Sequence, residues 1–180
     1  MKALALVACL TLPLAAHAAA SSPYAGQQSR AIKSVSPADQ ADLLSGKGMG
    51  LAKAAELNGY PGPAHVLELA AQLSLTDEQR TKTQQLFKSM ESRAQVLGRQ
   101  LVEAEQSLDA LFASKQITQA QLGESLSKIG SLQAQLRAVH LDAHLEQTRI
   151  LSPQQTAKYN ELRGYSSAGN PSGNDHRHKH

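Results

Sequence analysis

Aromatic residues are scarce in this chain, which has two Phe, four Tyr and no Trp among its 180 residues. A thick aromatic core is therefore excluded, and the many Ala, Leu and Gln residues favour helices packed through narrow aliphatic seams. Cysteine is nearly absent as well. Since the only one, Cys9, lies close to the amino terminus, the body of the chain has neither disulfides nor thiolate metal ligands.

The first 18 residues have the pattern of a secretory signal. The positive segment Met1-Lys2 precedes an apolar run, and Ala16-His17-Ala18 has the small-x-small pattern that a signal peptidase cleaves. The run is shorter than the roughly 20 residues of a transmembrane helix. We therefore expect residues 1–18 to be removed and the product to be a soluble periplasmic protein. Lipidation at Cys9 stays open, because Leu6-Val7-Ala8-Cys9 resembles a lipoprotein cleavage box.

Charge and residue chemistry argue against catalysis and nucleic-acid binding. The formal net charge is only +3, and the stretch from Thr76 to Lys115 carries six acidic and six basic side chains. No face attractive to a polyanion is therefore predicted. Ser and His residues show no triad pattern, and the segment Gly46-Lys47-Gly48-Met49-Gly50 lacks the spacing of a phosphate loop. We expect a protein that is not an enzyme.

Shifts in composition divide the remaining chain into three parts. Residues 19–35 are rich in Ala, Ser and Gln without periodicity, and are predicted to form a flexible leader. Residues 166–180 are rich in Ser, Gly and Asn before a His-containing end, and are predicted to be a disordered tail. The domain between them, residues 36–165, contains every helix signal.

The domain begins with three short predicted helices. The first follows Ser36-Pro37, a helix cap with proline at the first helical position, and the glycines within residues 46–50 interrupt it. The second helix is predicted over about residues 51–57 and the third over about residues 64–73. The segment Tyr60-Pro61-Gly62-Pro63 lies between the second and third helices and is predicted not to be helical, because each proline favours extended geometry in the residue before it.

Two long amphipathic helices are predicted next. A capping box at Thr76 begins a helix that runs from Asp77 to about Ser114, roughly 55 Å. A second capping box, at Thr118, begins the return helix after a short turn. Apolar residues recur at steps of three and four along both helices. They are Leu86, Met90, Ala94, Leu97, Leu101, Ala104, Leu108 and Leu111 on the first, and Leu122, Leu126, Ile129, Leu132, Leu136, Val139 and Ala143 on the second.

Two long helices joined by a short turn must lie antiparallel. The predicted fold is therefore all-α: a long antiparallel helical hairpin with short flanking helices, the last of them from about Pro153 to Arg163. Leu141 and Leu145 face away from the seam between the long helices, and a homodimer is expected to cover them.

Two five-residue segments resemble a known family motif. Leu75-Thr76-Asp77-Glu78-Gln79 and Leu151-Ser152-Pro153-Gln154-Gln155 each begin a predicted helix, and both are similar to the paired LTxxQ motifs of the Spy/CpxP family. The matching residues are Leu75, Thr76, Gln79, Leu151, Ser152 and Gln155. That family contains periplasmic chaperones, envelope-stress modulators, the zinc-associated ZraP proteins and heavy-metal sensors such as CnrX. The resemblance covers residues 36–165, and it implies a helical hairpin that holds unfolded clients or binds metal.

His140 and His144 are the sharpest candidates for a functional site. Their i, i+4 spacing places both imidazoles on one helix face, where they can share one cation. Neutral imidazole is a good ligand for Zn, Cu, Ni and Co ions. The alternative is that His140 is a hydrogen-bonded, partly buried histidine and that His144 is solvated.

Two histidines do not complete a metal site, so further ligands are required. His65 is the first candidate, because a short helix folded over the hairpin would bring it towards His140, and Glu68 lies one turn later. Glu146 and Met49 are weaker candidates. The alternative for His65 is a capping or surface contact. Since no thiolate is present, nitrogen and oxygen ligands and an exchangeable metal are predicted.

The predicted tail contains three further histidines, His176, His178 and His180. A flexible segment can wrap around a cation, so weak and unselective metal binding is one expectation for this tail. The alternative is that these histidines, which stand among basic residues, only keep the tail soluble.

These features favour an ATP-independent periplasmic chaperone of envelope stress or metal resistance, which binds unfolded proteins beside exposed aliphatic side chains and also binds a divalent metal. One alternative is a ZraP- or CnrX-like heavy-metal sensor or buffer. In that case metal docks the helix that carries His65 and presents a new surface to a membrane partner. The other alternative is an interaction module without metal that inhibits a sensor kinase.

Overall fold

The computed structural model describes residues 22–165, and helices dominate this part of the chain. The predicted signal of residues 1–18 and the tail histidines His176, His178 and His180 lie outside it. After a 3-10 turn, Gln27–Ser29, six α-helices follow: α1 (Pro37–Leu44), α2 (Lys53–Glu56), α3 (Pro63–Glu68), α4 (Asp77–Ala113), α5 (Gln119–Ile150) and α6 (Pro153–Leu162). No helix among the described residues combines the length and apolar character that crossing a bilayer requires.

The predicted all-α helical hairpin is confirmed, with α4 and α5 packed along each other as its two arms. Each of α4, α5 and α6 begins with a capping box, at Thr76, Thr118 and Ser152. In each box the hydroxyl accepts from the backbone N–H of a Gln three residues later, and that Gln side chain accepts from the cap's own N–H. The same local signal therefore sets where all three helices begin.

The hairpin has its main core in the middle of the arms. This core contains one residue of α1 and seven from the two arms: Leu43, Ala94, Leu101, Ala104, Ile129, Leu132, Leu136 and Val139. Leu126 was predicted to lie in the same seam, but its side chain is 53% exposed. The buried residues of α5 begin at Ile129, so Leu126 lies closer to the turn than the buried part of this helix does.

Gly98 is the position where α1 lies closest to α4. A Cβ atom built at Gly98 would lie 2.1 Å from the carbonyl oxygen of Leu43. Only glycine permits this approach of two backbones. From the sequence alone, Gly98 is only a residue of low helix propensity within α4. Its contact with α1 is a tertiary one, so the helical pattern carries no signal for it.

The segment before α1 contacts the hairpin, which differs from the flexible leader expected over residues 19–35. Ile32 is buried, and Lys33 forms an ion pair with Asp109 of α4 at 2.8 Å between Nζ and Oδ2. Ser34 donates a hydrogen bond to a carboxylate oxygen of Glu105 one turn away. Val35 also packs against the main core. Two apolar residues and these polar contacts are too few to produce a periodic pattern, so the sequence carried no signal for this attachment.

The third short helix differs from its prediction at both ends. Pro63 was expected outside the helix, but it is the first residue of α3, where proline needs no N–H partner. The helix ends at Glu68 rather than near Leu73.

A second core lies under α3 and α6 and contains Val66, Ala70, Leu73, Leu75, Leu151 and Tyr159.

Candidate functional site

A cavity of about 470 Å³ lies between the short helices and the two arms of the hairpin. His65, His140 and His144 all line it, and we call it the histidine cavity. Its other walls are the glycine-rich loop of residues 46–50, together with residues of α2, α3 and α4. His65, on a short helix, and His140, on the hairpin, therefore line the same cavity.

The packing of α5 places His140 and His144 in the interior. Val139 and Ala143, which precede each histidine, belong to the buried face of the helix. Only 3% of His140 and 9% of His144 are exposed. The alternative in which His144 is a solvated side chain is therefore wrong.

His144 is fixed in one tautomer by a backbone hydrogen bond. Its Nδ1 lies 2.8 Å from the carbonyl oxygen of Tyr60, and because a carbonyl only accepts, Nδ1 carries the proton. The lone pair of the neutral ring is then on Nε2. A Cβ atom built at Gly62 would lie 2.9 Å from that Nε2, so the turn before α3 requires glycine against the imidazole.

His140 lines the cavity and contains a buried polar atom. Its Nε2 is buried and has no hydrogen-bond partner among the described residues. On its other side, Nδ1 lies 3.7 Å from a Cβ built at Gly48, so the glycine-rich loop passes beside the ring. Burial lowers the pKa of His140, and the neighbouring His144 lowers this pKa further. The imidazole is therefore neutral and keeps a lone pair at physiological pH.

Glu56 holds the inner end of the cavity together, and the sequence did not indicate it. Its side chain accepts a hydrogen bond from the hydroxyl of Tyr159 at 2.5 Å, and the same Oε1 lies 3.5 Å from Nδ1 of His65. Oε2 has no hydrogen-bond partner within residues 22–165 and lies 3.7 Å from Nδ1 of His144. Arg163 lies 3.5 Å from Oε1. Glu56 therefore connects α2, α3, α5 and α6.

Tyr159 acts as a fixed hydrogen-bond donor to this carboxylate. Burial raises the pKa of Tyr159 well above its ordinary value, and the hydrogen bond and charge of Glu56 raise this pKa further. The phenol therefore keeps its proton and donates to Glu56. The signal in the sequence was weak, because Glu56 lies in a short segment with the composition of a surface helix.

The predicted ligand set is not assembled as a metal site. Glu68 was expected beside His65, but it is exposed and does not line the histidine cavity. Within residues 22–165, no group of three or more His, Cys, Asp or Glu side chains is arranged to hold a metal ion. His65 instead lies 3.5 Å from Oε1 of Glu56 and 3.4 Å from the phenol oxygen of Tyr159.

The two motif segments meet at the base of the hairpin. Gln79 and Gln155 exchange amide hydrogen bonds of 2.8 and 2.9 Å, so each caps its own helix and joins it to the other. Gln155 also donates to the carbonyl oxygen of Leu73, and Gln79 donates to that of Ile150. The leucines that open the two motifs, Leu75 and Leu151, lie buried in the second core. The motif residues thus have a structural role, away from the histidine cavity.

No protein-family model, no curated protein and no solved structure matches this chain. The resemblance to the Spy/CpxP family therefore depends on the paired motifs and their place at two helix starts. The function has to be argued from the cavity itself.

Proposed function

We propose that this chain is an exported, Spy/CpxP-like heavy-metal sensor or buffer that holds a transition-metal ion in the histidine cavity. The observation that carries the proposal is the buried Nε2 of His140, one helical turn from a second buried histidine. This nitrogen has no hydrogen-bond partner in the part of the chain that the structure describes. An unsatisfied buried polar group costs about 1–3 kcal/mol. A coordinate bond from this nitrogen would offset that cost.

The donor set fits an ion at this position in part. His140 and His144 lie on one face of α5, and neutral imidazole is the form that binds metal. The hydrogen bond from His144 to the Tyr60 carbonyl fixes its ring, as outer-shell partners of metal-bound histidines do. When bound, the ion would supply positive charge and Lewis acidity. The glycine-rich loop, α2 and α3 together form what we call the short-helix layer. The carbonyl of Tyr60 and the backbone of Gly48 would hold this layer against the two imidazole rings.

The role of a sensor follows from which elements meet at the cavity. The glycine-rich loop, α2 and α3 all contribute to its wall. We expect the packing of this layer on α5 to change with occupancy of the cavity. A membrane-bound regulator would then recognise the outer surface of the layer.

A metal titration of the purified chain tests this proposal. The wild type is expected to bind one ion per cavity, and the double variant His140→Ala, His144→Ala is expected to lose it. A matched control replaces His176, His178 and His180 with Ala, and it should keep the tight site. If the double variant binds as tightly as the wild type, the proposal is wrong.

Exposed apolar side chains near the hairpin turn favour a second candidate function, the ATP-independent chaperone. Phe112 and Leu126 are both more than half exposed, and Glu124 and Lys128 flank the leucine along the chain. Such apolar spots beside charges are where an unfolded client would bind.

A client-aggregation assay in the presence of a metal chelator tests the chaperone function. The wild type should suppress aggregation, and the variant Phe112→Ser, Leu126→Ser should protect less. Replacing the exposed Leu162 of α6 with Ser is the control and should have little effect. If the chelated wild type gives no protection, this second function is excluded. A chain that also binds no metal would favour the interaction module.

A further inference from the structure

Both methionines of the described chain line the histidine cavity. Met90 of α4 and Met49 of the glycine-rich loop lie in the same wall as His140 and His144. Residues 22–165 contain no cysteine, so thioether sulphurs are the only soft ligands present there. Thioethers favour copper(I), whereas imidazoles accept many transition metals.

Met49 has an unusual backbone position beside His140. Its φ of 46° places it in the left-handed region, which a residue with a Cβ adopts at a cost of about 1–3 kcal/mol. Gly48, directly before it, passes close to the imidazole of His140. The side chain of Met49 is 42% exposed, so burial in the core does not account for this strain. A ligand role for the sulphur would account for it.

Met90 of α4 lies next to the place where the same loop begins. It is partly buried against the central core, and the next residue, Glu91, packs against Gly46. A Cβ atom built at Gly46 would lie 2.9 Å from the carbonyl oxygen of Glu91. The loop therefore reaches from α4 at Met90 to α5 at His140. Methionine has three rotatable bonds and can adjust its sulphur to an irregular site.

Two carboxylates, Glu56 and Glu91, also line the histidine cavity. The Glu56 carboxylate accepts from Tyr159 at 2.5 Å and lies 3.5 Å from Arg163. Glu68 lies outside the cavity. The two histidines share the cavity with two thioethers, while Oε1 of Glu56 is engaged by Tyr159.

We infer that the histidine cavity is selective for a soft monovalent ion, copper(I), bound by His140 and His144 together with the sulphurs of Met49 and Met90. This inference rests on the proposed function and specifies its transition-metal ion as copper(I). The ion binds without a change of oxidation state. The glycine-rich loop closes the site because it carries one of the two sulphurs.

Replacing the sulphurs while retaining the histidines tests the inference. The variant Met49→Leu, Met90→Leu preserves apolar volume. All proteins carry Ala at His176, His178 and His180, so that the tail does not collect copper. Copper(I) affinity is measured without oxygen against a chromophoric chelator, and zinc(II) affinity is measured in parallel. Loss of an outer-shell partner already lowers metal affinity by about 10–100-fold. Since the two sulphurs are direct ligands, we expect the double Met variant to lose at least about 100-fold in copper(I) affinity, with little change for zinc(II).

The outcomes separate this inference from the proposed function. If the double Met variant binds copper(I) as tightly as its parent, or if the parent prefers zinc(II), the inferred copper(I) selectivity is wrong. The proposed function as a metal-binding protein is not affected by either result. If His140→Ala, His144→Ala leaves both affinities unchanged, the proposed function itself fails. X-ray absorption at the copper edge gives a direct readout, because sulphur scatterers should be present in the parent and absent in the double Met variant. Circular dichroism melting verifies that each variant is folded.

Discussion

His140 is held as a neutral imidazole in the interior, and this has a consequence for stability. Burial and the neighbouring His144 lower the pKa of His140 from its ordinary value of 6.5. The unfolded chain therefore takes up a proton at His140 at a higher pH than the folded chain does. Stability that is fully present above pH 6.5 is lost as the pH falls towards the folded pKa.

Urea unfolding of the metal-free protein between about pH 8 and pH 5 measures this effect. The free energy of unfolding should be constant above the ordinary histidine pKa and should fall below it. In the variant His140→Gln, the fall should be smaller, because this position no longer titrates. If His140→Gln shows the same pH dependence as the wild type, His140 is not the buried neutral group.

The site could be predicted in part from single residues. The i, i+4 spacing identified His140 and His144, because a helix fixes which residues share a face. Glu56 was missed and Glu68 was wrongly included, because the tertiary packing of very short helices decides which carboxylate is buried. No periodic pattern in four residues of α2 could indicate that burial.

At the scale of elements, glycines in the two arms have opposite roles. Gly98 of α4 contacts the backbone of α1, whereas a Cβ atom at Gly130 of α5 would have nothing within 4 Å. Glycine in a helix interior costs about 1 kcal/mol relative to alanine. Gly130 carries that cost without a contact that requires it, while Gly98 permits the packing of α1.

Alanine substitutions at these two glycines are expected to change stability in opposite directions. Gly130→Ala should stabilise the chain by about 1 kcal/mol. Gly98→Ala should destabilise it by about 1–3 kcal/mol, since the new methyl group overlaps the Leu43 carbonyl and forces α1 away. Urea denaturation of both variants measures the two effects. Stabilisation by Gly98→Ala would show that α1 does not pack as closely as described.

The long elements could be predicted closely, and the short ones only coarsely. Strong capping boxes and long apolar stripes placed α4 within one residue of its observed end at Ala113. The bounds of α2 and α3 differed by several residues, because helices of four and six residues depend on the surface that they cover. The contact of Ile32 with the hairpin depended on packing in the same way.

At the scale of the whole molecule, both the hairpin and the short-helix layer form the walls of the histidine cavity. The hairpin supplies His140, His144 and Met90, and the short-helix layer supplies Glu56 and the glycine-rich loop. The predicted homodimer stays a prediction. Leu145 is exposed and Leu141 is partly exposed in the single chain, so the reason for expecting a second copy remains.

Anomalous diffraction from crystals of the metal-loaded protein tests the central claim most directly. The variant with Ala at His176, His178 and His180 should be used, loaded separately with copper(I) and zinc(II). The account predicts an anomalous peak inside the histidine cavity, adjacent to the imidazoles of both His140 and His144. Peaks found only on the outer surface, with the two imidazoles uncoordinated, would contradict it.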